Sequence, residues 1–403
     1  MLRSISSLCA IAILTIGCSQ SAVRDVPART PTAGESPTAS AAMPAVDPAS
    51  TAAIQPVLDQ LSVALIAQDR DQLRALGDPD ERVVTAMLQE LQQSVSEQNL
   101  NPESVRGFRI VAAEQRSATL IEATIARPWD GRLLRWLFRT SDGHWRISQA
   151  KPDELGVSQN RAGSGFALTF SAWDADLADA LFPLLNKGIA AVDQRLAVSG
   201  LAPITIILRP RVETVAEMSK GFYAPGLTAA NDTIQLISSG AAIGSFDPSQ
   251  TWVDAIGLVA RHEYVHRVHD HGPLPVPLED TPDWLAEGLA EYIAGADHLS
   301  VPQFRQIIDA GELLSFCQLP APPLTTPRGV LYGTSELAVR YIVEEQGGMT
   351  AFWSLLEHLN ATEARGTARM EAALQATWQQ SCAGFDQQWH AWIAAQGAAY
   401  PAD

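Results

Sequence analysis

The stretch Trp252-Val253-Asp254-Ala255-Ile256-Gly257-Leu258-Val259-Ala260-Arg261-His262-Glu263-Tyr264-Val265-His266-Arg267-Val268-His269 has no proline and one glycine, and it reads as one helix. Inside it stands His262-Glu263-Tyr264-Val265-His266, an H-E-x-x-H pattern. At about 3.6 residues per turn, positions i and i+4 share a face, so both imidazoles can reach one ion at roughly 2.0–2.1 Å. Glu263 is turned about 100° from His262, so it can face a water on such an ion without binding the ion itself.

A catalytic metal needs a third protein ligand and an open position, and the next helix offers a candidate. Thr281 is expected to cap that helix and Pro282 to take its first position, ahead of Trp284-Leu285-Ala286-Glu287-Gly288-Leu289-Ala290-Glu291-Tyr292. Leu285, Leu289, Tyr292 and Ile293 make its apolar face. Glu287 would be costly there as an unpaired charge, and a metal would pair it. Glu291, one turn further on, is placed to accept the other ring N–H of a metal-bound histidine, with His262 the expected one, and so to fix its tautomer.

Together, His262-Glu263-x-x-His266 and Trp284-x-x-Glu287-Gly288-x-Ala290-x-Tyr292 resemble the gluzincin zinc metallopeptidases, and especially their exported peptidase MA-like branch. The wider likeness covers about Phe166 to Gln396, through the strand at Ile204–Leu208, an edge-like strand at Thr233–Ser238, a helix start at Tyr332-Gly333, and Phe385-x-x-x-Trp389-x-x-Trp392 in a closing helix. The resemblance implies Zn2+ held by His262, His266 and Glu287, with Glu263 as general base. The chemistry would be hydrolysis, in which zinc lowers the pKa of a water toward about 7 and Glu263 takes its proton and returns it to the leaving amine. Tyr332 is the candidate donor to the developing oxyanion, with ordinary cleft packing as the alternative and His298 as the competing donor. A structural zinc site is the other reading of the ligands, but such sites usually have four protein ligands and favour Cys. His269 shares the face of His262 and His266 and reads as a group on the rim or behind the ligands. His144, His298, His358 and His390 have no partner at ligand spacing, and Trp353, Trp389 and Trp392 sit at core spacing.

Upstream of the motif helix, Phe166–Trp173 alternates like a strand, Leu177–Leu196 is an amphipathic helix, and Ile204–Leu208 and Thr233–Ser238 are short strands. Everything after Trp252 reads helical. A strand-rich part followed by a helical part implies a two-lobed, zincin-like domain over 160–403 with a cleft between the lobes. The strand Thr233–Ser238 is expected to pair with an extended substrate, which favours a peptide or protein over sugar or lipid.

An accessory unit is expected over 53–155. Ile54, Val57, Leu58, Leu61, Leu65 and Ile66 recur at helical spacing, as do Val83, Val84, Met87, Leu88 and Leu91. Two helices would be followed by strands at Phe108–Ala113, Ala118–Ala126, Leu133–Thr140 and His144–Ile147, an α+β order. This order, with the ending Asp142-Gly143-His144-Trp145-Arg146-Ile147, is similar to the cone-shaped domains of the nuclear-transport-factor-like superfold. The likeness implies a packing or binding role.

The N-terminus reads as an export signal over 1–18: Arg3, an apolar run from Ile5 to Ile16, then Gly17 and Cys18. Leu14-Thr15-Ile16-Gly17-Cys18 resembles a lipoprotein processing site, with Thr15 where Leu is usual. That resemblance implies a lipid on Cys18, a membrane anchor and a place in the bacterial cell envelope; plain secretion is the alternative. Residues 19–52 are rich in Ala, Pro, Ser and Thr and read as a disordered tether. The mature body keeps Cys317 and Cys382, which are either bonded or two buried thiols.

Over 403 residues, 28 Lys and Arg stand against 45 Asp and Glu, a net charge of −17. Binding a nucleic-acid backbone needs a basic face, so nucleic acid is not an expected partner. Charged residues make up 18% and hydrophobic residues 46%, which excludes wholesale disorder. The expectation is an exported, lipid-anchored zinc metallopeptidase; the alternative is a non-catalytic binding or assembly lipoprotein on a peptidase fold.

Overall fold

The computed structural model describes residues 47–97, 100–129, 131, 133–212, 226–229, 232–238, 242–243, 251–300, 302–323, 326 and 328–399. The expected signal at 1–18 with Cys18, and the tether up to residue 46, lie outside the described residues.

The first helix, α1 (Pro48–Ala67), begins where a tether was expected. The Asp47 carboxylate accepts from the amides of Ala49 and Ser50 at 3.3 and 3.0 Å, and Pro48, which has no N–H to satisfy, takes the first position. An N-cap and proline thus begin the helix ahead of its apolar repeat, so residues 48–52 belong to it. By length and composition α1 could cross a membrane, but Ile54, Leu58, Leu61 and Leu65 fill the first core. Three helices follow it, α2 (Arg70–Leu76), α3 (Arg82–Glu97) and α4 (Pro102–Val105), where the sequence suggested one. The extra two have 7 and 4 residues, too short to show a periodic face; both start at a side-chain cap, Asp69 and Asn101.

Strands β1 (Arg109–Ser117), β2 (Leu120–Ala126), β3 (Leu133–Ser141) and β4 (His144–Ser148) form an antiparallel meander, close to the expected spans. One face buries Ile121, Ala123, Ile125, Leu134, Trp136 and Phe138 against the helices.

The second sheet is mixed, in the order β5 (Ser158–Ala162), β6 (Phe166–Ser171), β7 (Ile204–Arg209), β9 (Thr233–Ile237), β8 (Gly226–Ala229). Strands β6, β7 and β9 run parallel, and the helix α5 (Ala175–Arg195) makes the β6-to-β7 crossover that parallel neighbours need. Burial alternates along β6, β7 and β9, as expected for strands with one face in the core. Strand β9 was expected at an edge. It lies inside, hydrogen-bonded to β7 on one side and antiparallel to β8 on the other, so the edge is β8. At four residues, β8 is too short for its alternation to declare it.

A two-residue strand, β10 (Ala242–Ile243), leaves this half of the chain and pairs with Leu134 and Leu133 at the start of β3. The outer face of the first sheet is also occupied. The Arg135 guanidinium pairs with Glu122, lies 3.6 Å from Asp174, and donates to the Ser238 carbonyl at 2.8 Å; the Ser238 hydroxyl donates to Asp174 at 2.6 Å. Gln149 donates to the Val212 carbonyl at 3.2 Å and accepts from its amide at 3.1 Å. The described residues consequently make one compact unit with two principal apolar cores.

The rest is helical, as expected: α6 (Trp252–His271), α7 (Asp283–Ala294), α8 (Pro302–Asp309), α9 (Arg328–Glu345), α10 (Gly348–Ala361), α11 (Gly366–Trp378) and α12 (Cys382–Ala399). The fold is therefore α+β, with twelve helices and two sheets among the described residues. Cys317 and Cys382 are bonded, which joins the turn at Phe316–Gln318 to the start of α12. Phe316 packs on Trp284, Phe385 and Trp389 at ring separations of 5.6, 4.6 and 5.9 Å, so Trp389 is core.

Candidate metal centre

Helix α6 starts at a reciprocal cap. The Thr251 hydroxyl accepts from the Asp254 amide at 3.2 Å, and the Asp254 carboxylate accepts from the Thr251 amide at 3.1 Å. Ala255, Ile256, Ala260, Val265 and Val268 are buried in the second core, and the Tyr264 hydroxyl donates to Asp193 of α5 at 2.9 Å. These contacts fix the roll of α6 and turn the half-buried His262 and His266 toward α7.

There Glu287 meets them. The Nε2 atoms of His262 and His266 are 3.1 Å apart and lie 3.1 and 3.3 Å from Glu287 Oε2. A tetrahedral ion with bonds of about 2.0–2.1 Å has ligand atoms about 3.3–3.4 Å apart, so the three donors already stand close to the required edges. Two imidazole nitrogens and one carboxylate oxygen suit a borderline divalent cation. His262, His266 and Glu287 could hold a metal ion.

Glu291 accepts from His262 Nδ1 at 3.2 Å, as expected. With the proton on Nδ1, a neutral His262 presents the Nε2 lone pair to the other donors. The electrostatics are those of a cation site. Burial pushes the His262 pKa down, but the Glu291 charge, the bonds to Glu287 and Glu291 and the Glu263 charge outweigh it, so the net shift is strongly upward. For Glu287, burial raises the pKa, and its bonds to His262 and His266 overcome that and hold it far below the usual carboxylate range. Glu291 is likewise lowered, burial being outweighed by His262. A proton held here would be displaced on metal binding, which makes affinity rise with pH.

Helix α9 closes over the site. The Tyr332 ring lies nearly parallel to His262, at 6.2 Å and 22°. Tyr332 was expected at a helix start beside a flexible glycine, but it lies in the second turn of α9. A Cβ at Gly333 would sit 2.3 Å from the Phe304 ring, so that glycine serves packing. Gly288 has a similar role. A Cβ there would lie 2.4 Å from the Ser335 carbonyl oxygen, so only glycine lets α9 approach α7 this closely beside Glu287. Gly288 is visible in the sequence pattern, but its purpose appears only with the second helix in place.

Three other expectations change. Of the two places expected for His269 the rim is excluded: the residue is buried, with Nε2 3.1 Å from both the Val276 carbonyl and the Thr281 hydroxyl oxygen. Thr281 does not cap α7; its hydroxyl donates to the Pro277 carbonyl at 3.0 Å, and Pro282 occupies the cap position. His298, expected as a competing donor, is buried against Phe304, with Nδ1 3.6 Å from Glu336.

Three residues that sequence reasoning passed over matter here: Arg195 and Arg261, which donate to carbonyls in the last turn of α7, and Arg340, which donates to Ala296 just past its end. The Thr251-x-x-Asp254 cap was legible as a pattern; the arginine contacts, which join different helices, were not. No protein-family model matches the chain, and no curated protein matches it.

Proposed function

We propose that the protein is a zinc metallopeptidase of gluzincin type. The observation that carries this reading is the convergence of His262 Nε2, His266 Nε2 and Glu287 Oε2 to within 3.1–3.3 Å, with Glu291 on the far nitrogen of His262 and Glu263 on the same helix outside that donor set. When bound there, zinc would polarise the scissile carbonyl and acidify a water. Glu263 takes that water's proton as it attacks and delivers it to the leaving amine. Tyr332, beside His262, donates its hydroxyl proton in a hydrogen bond to the oxyanion.

The mixed sheet and the helices from α6 onward serve in this reading as the two walls of a zincin cleft. The edge strand β8 is the element for an extended peptide to pair with, the role first given to β9. The sequence before residue 47 supports export and a lipid on Cys18, which would hold the enzyme at an envelope membrane. Residues 53–155 serve as an accessory unit of nuclear-transport-factor-like type.

Purified protein should carry about one zinc per chain, lost in His262→Ala, and should cleave members of a peptide library. Glu263→Gln should keep the zinc and lose cleavage by orders of magnitude. Zinc unchanged in His262→Ala removes the metal site; equal cleavage by Glu263→Gln places the chemistry elsewhere. Zinc without cleavage in the wild type would favour a binding lipoprotein on a peptidase fold. Cys18→Ser should free the chain from the membrane fraction or leave an unprocessed precursor; a processed, membrane-bound product would refute lipidation.

A further inference from the structure

Helix α7 ends at Gly295, which adopts φ 89°. The carbonyls of a helix's last turn have no partner within the helix. Here guanidinium groups from two other helices take three of them, and a third guanidinium takes the Ala296 carbonyl just past the helix end. Arg195, at the end of α5, donates to Tyr292 and Ile293 at 2.9 and 2.8 Å. Arg261, on α6, donates through Nε to Ala294 at 2.8 Å. Arg340, on α9, donates to Ala296 at 2.9 Å, and is itself held by Glu336 at 2.7 Å and Asp297 at 3.1 Å. The charges also complement the negative end of the helix dipole.

Arg261 differs from the other two because it directly precedes His262. It ties the histidine helix to the glutamate helix at Ala294, seven residues past Glu287, or about 10 Å along the axis at 1.5 Å per residue. The two helices are then fixed at two separated points, the ligand cluster and this bond, which sets both sliding and tilt. A second observation shows that room is made for the side chain. A Cβ at Gly188, inside α5, would lie 2.5 Å from Arg261 Cδ and 2.8 Å from its Cγ. Glycine inside a helix is less favourable than alanine, and this one leaves the lane through which Arg261 reaches Ala294.

We infer that Arg261, passing Gly188 and joined by Arg195 and Arg340, is a positioning residue that holds Glu287 at ligand distance from His262 and His266 before any metal binds. The inference rests on the metal reading above. It predicts that affinity depends on a bond that touches neither ion nor substrate, because without it the protein must reorder α7 as it binds.

The test uses the full chain, with Zn2+ affinity measured by competition with a chromogenic chelator and site geometry by the visible spectrum of bound Co2+. Arg261→Met and Gly188→Ala should each weaken Zn2+ binding about tenfold or more and alter the Co2+ spectrum, comparable to the loss of a group that orients a metal ligand. Arg261→Lys, which keeps a donor but not the planar fork, should fall between them and the wild type. Leu88→Ala, in the first core, should lose stability yet keep both affinity and spectrum. Affinity within twofold of wild type in Arg261→Met or, should that variant not fold, in Gly188→Ala overturns the positioning role. Equal weakening in Leu88→Ala also overturns it, by reducing the effect to general destabilisation. Failure of the wild type to bind either ion instead removes the metal site, and the inference with it.

Discussion

Acid should destabilise this protein through His269. Its Nε2 faces the Val276 carbonyl and the Thr281 oxygen, each at 3.1 Å, and Thr281 spends its own proton on Pro277 at 3.0 Å. Both partners of Nε2 therefore accept, and the single ring proton sits on Nε2. A second proton would go to Nδ1, which is buried and has no hydrogen-bond partner among the described residues. Burial accordingly pushes the pKa from 6.5 to about 4. At about 1.36 kcal/mol per pH unit, the gap between 6.5 and about 4 corresponds to about 3 kcal/mol. Because the folded pKa lies below the unfolded one, the unfolded chain takes up the proton first as pH falls. The contribution is fully present above about 6.5, declines between 6.5 and 4, and falls no further once both states are protonated. Integrated from pH 7.5, the loss is about 2 kcal/mol at pH 5 and about 3 kcal/mol at pH 4. Urea unfolding with chelator present, so that metal release adds nothing, would compare wild type with His269→Gln, whose amide keeps a donor for Val276 but does not titrate. The variant's deficit at pH 7.5 should shrink by those amounts, or reverse. Two stability curves that stay parallel within about 0.5 kcal/mol from pH 7.5 to 4 would refute the account.

Tyr332→Phe should lower kcat about a hundredfold or more with zinc content unchanged, the usual cost of losing one oxyanion donor, and near-normal turnover would assign the ring to packing against His262. Glu291→Gln should weaken zinc binding about 10- to 100-fold, because His262 Nδ1 loses its carboxylate; unchanged affinity in a chelator competition would show that Glu291 does not orient the ligand. Cys382→Ser opens a bridge whose cysteines are 65 residues apart, and urea unfolding should show a loss of about 4 kcal/mol by the chain-entropy estimate. A loss under about 1 kcal/mol would mean that the unfolded chain is already restrained in that region.

The candidate metal donors were legible because their placement is local. His262 and His266 are one turn apart on one helix, and Glu287 and Glu291 one turn apart on the next, so helical geometry alone puts each pair on a face. The long strands β2, β3, β6 and β7 declared themselves by apolar runs or alternation. What the sequence could not decide was pairing between distant segments. Whether β9 is an edge depends on β8, and whether the outer face of the first sheet is free depends on β10, Asp174 and Ser238, all far along the chain. The histidines divide in the same way. His262, His266 and His269 share one helix, yet only the first two meet a carboxylate; His269 meets a carbonyl and a hydroxyl, because the turn at residues 276–281 folds back over it. Periodicity specifies which side of a helix a residue occupies. What stands against that side is settled by tertiary packing, and at Gly188 and Gly288 by the absence of a single carbon atom.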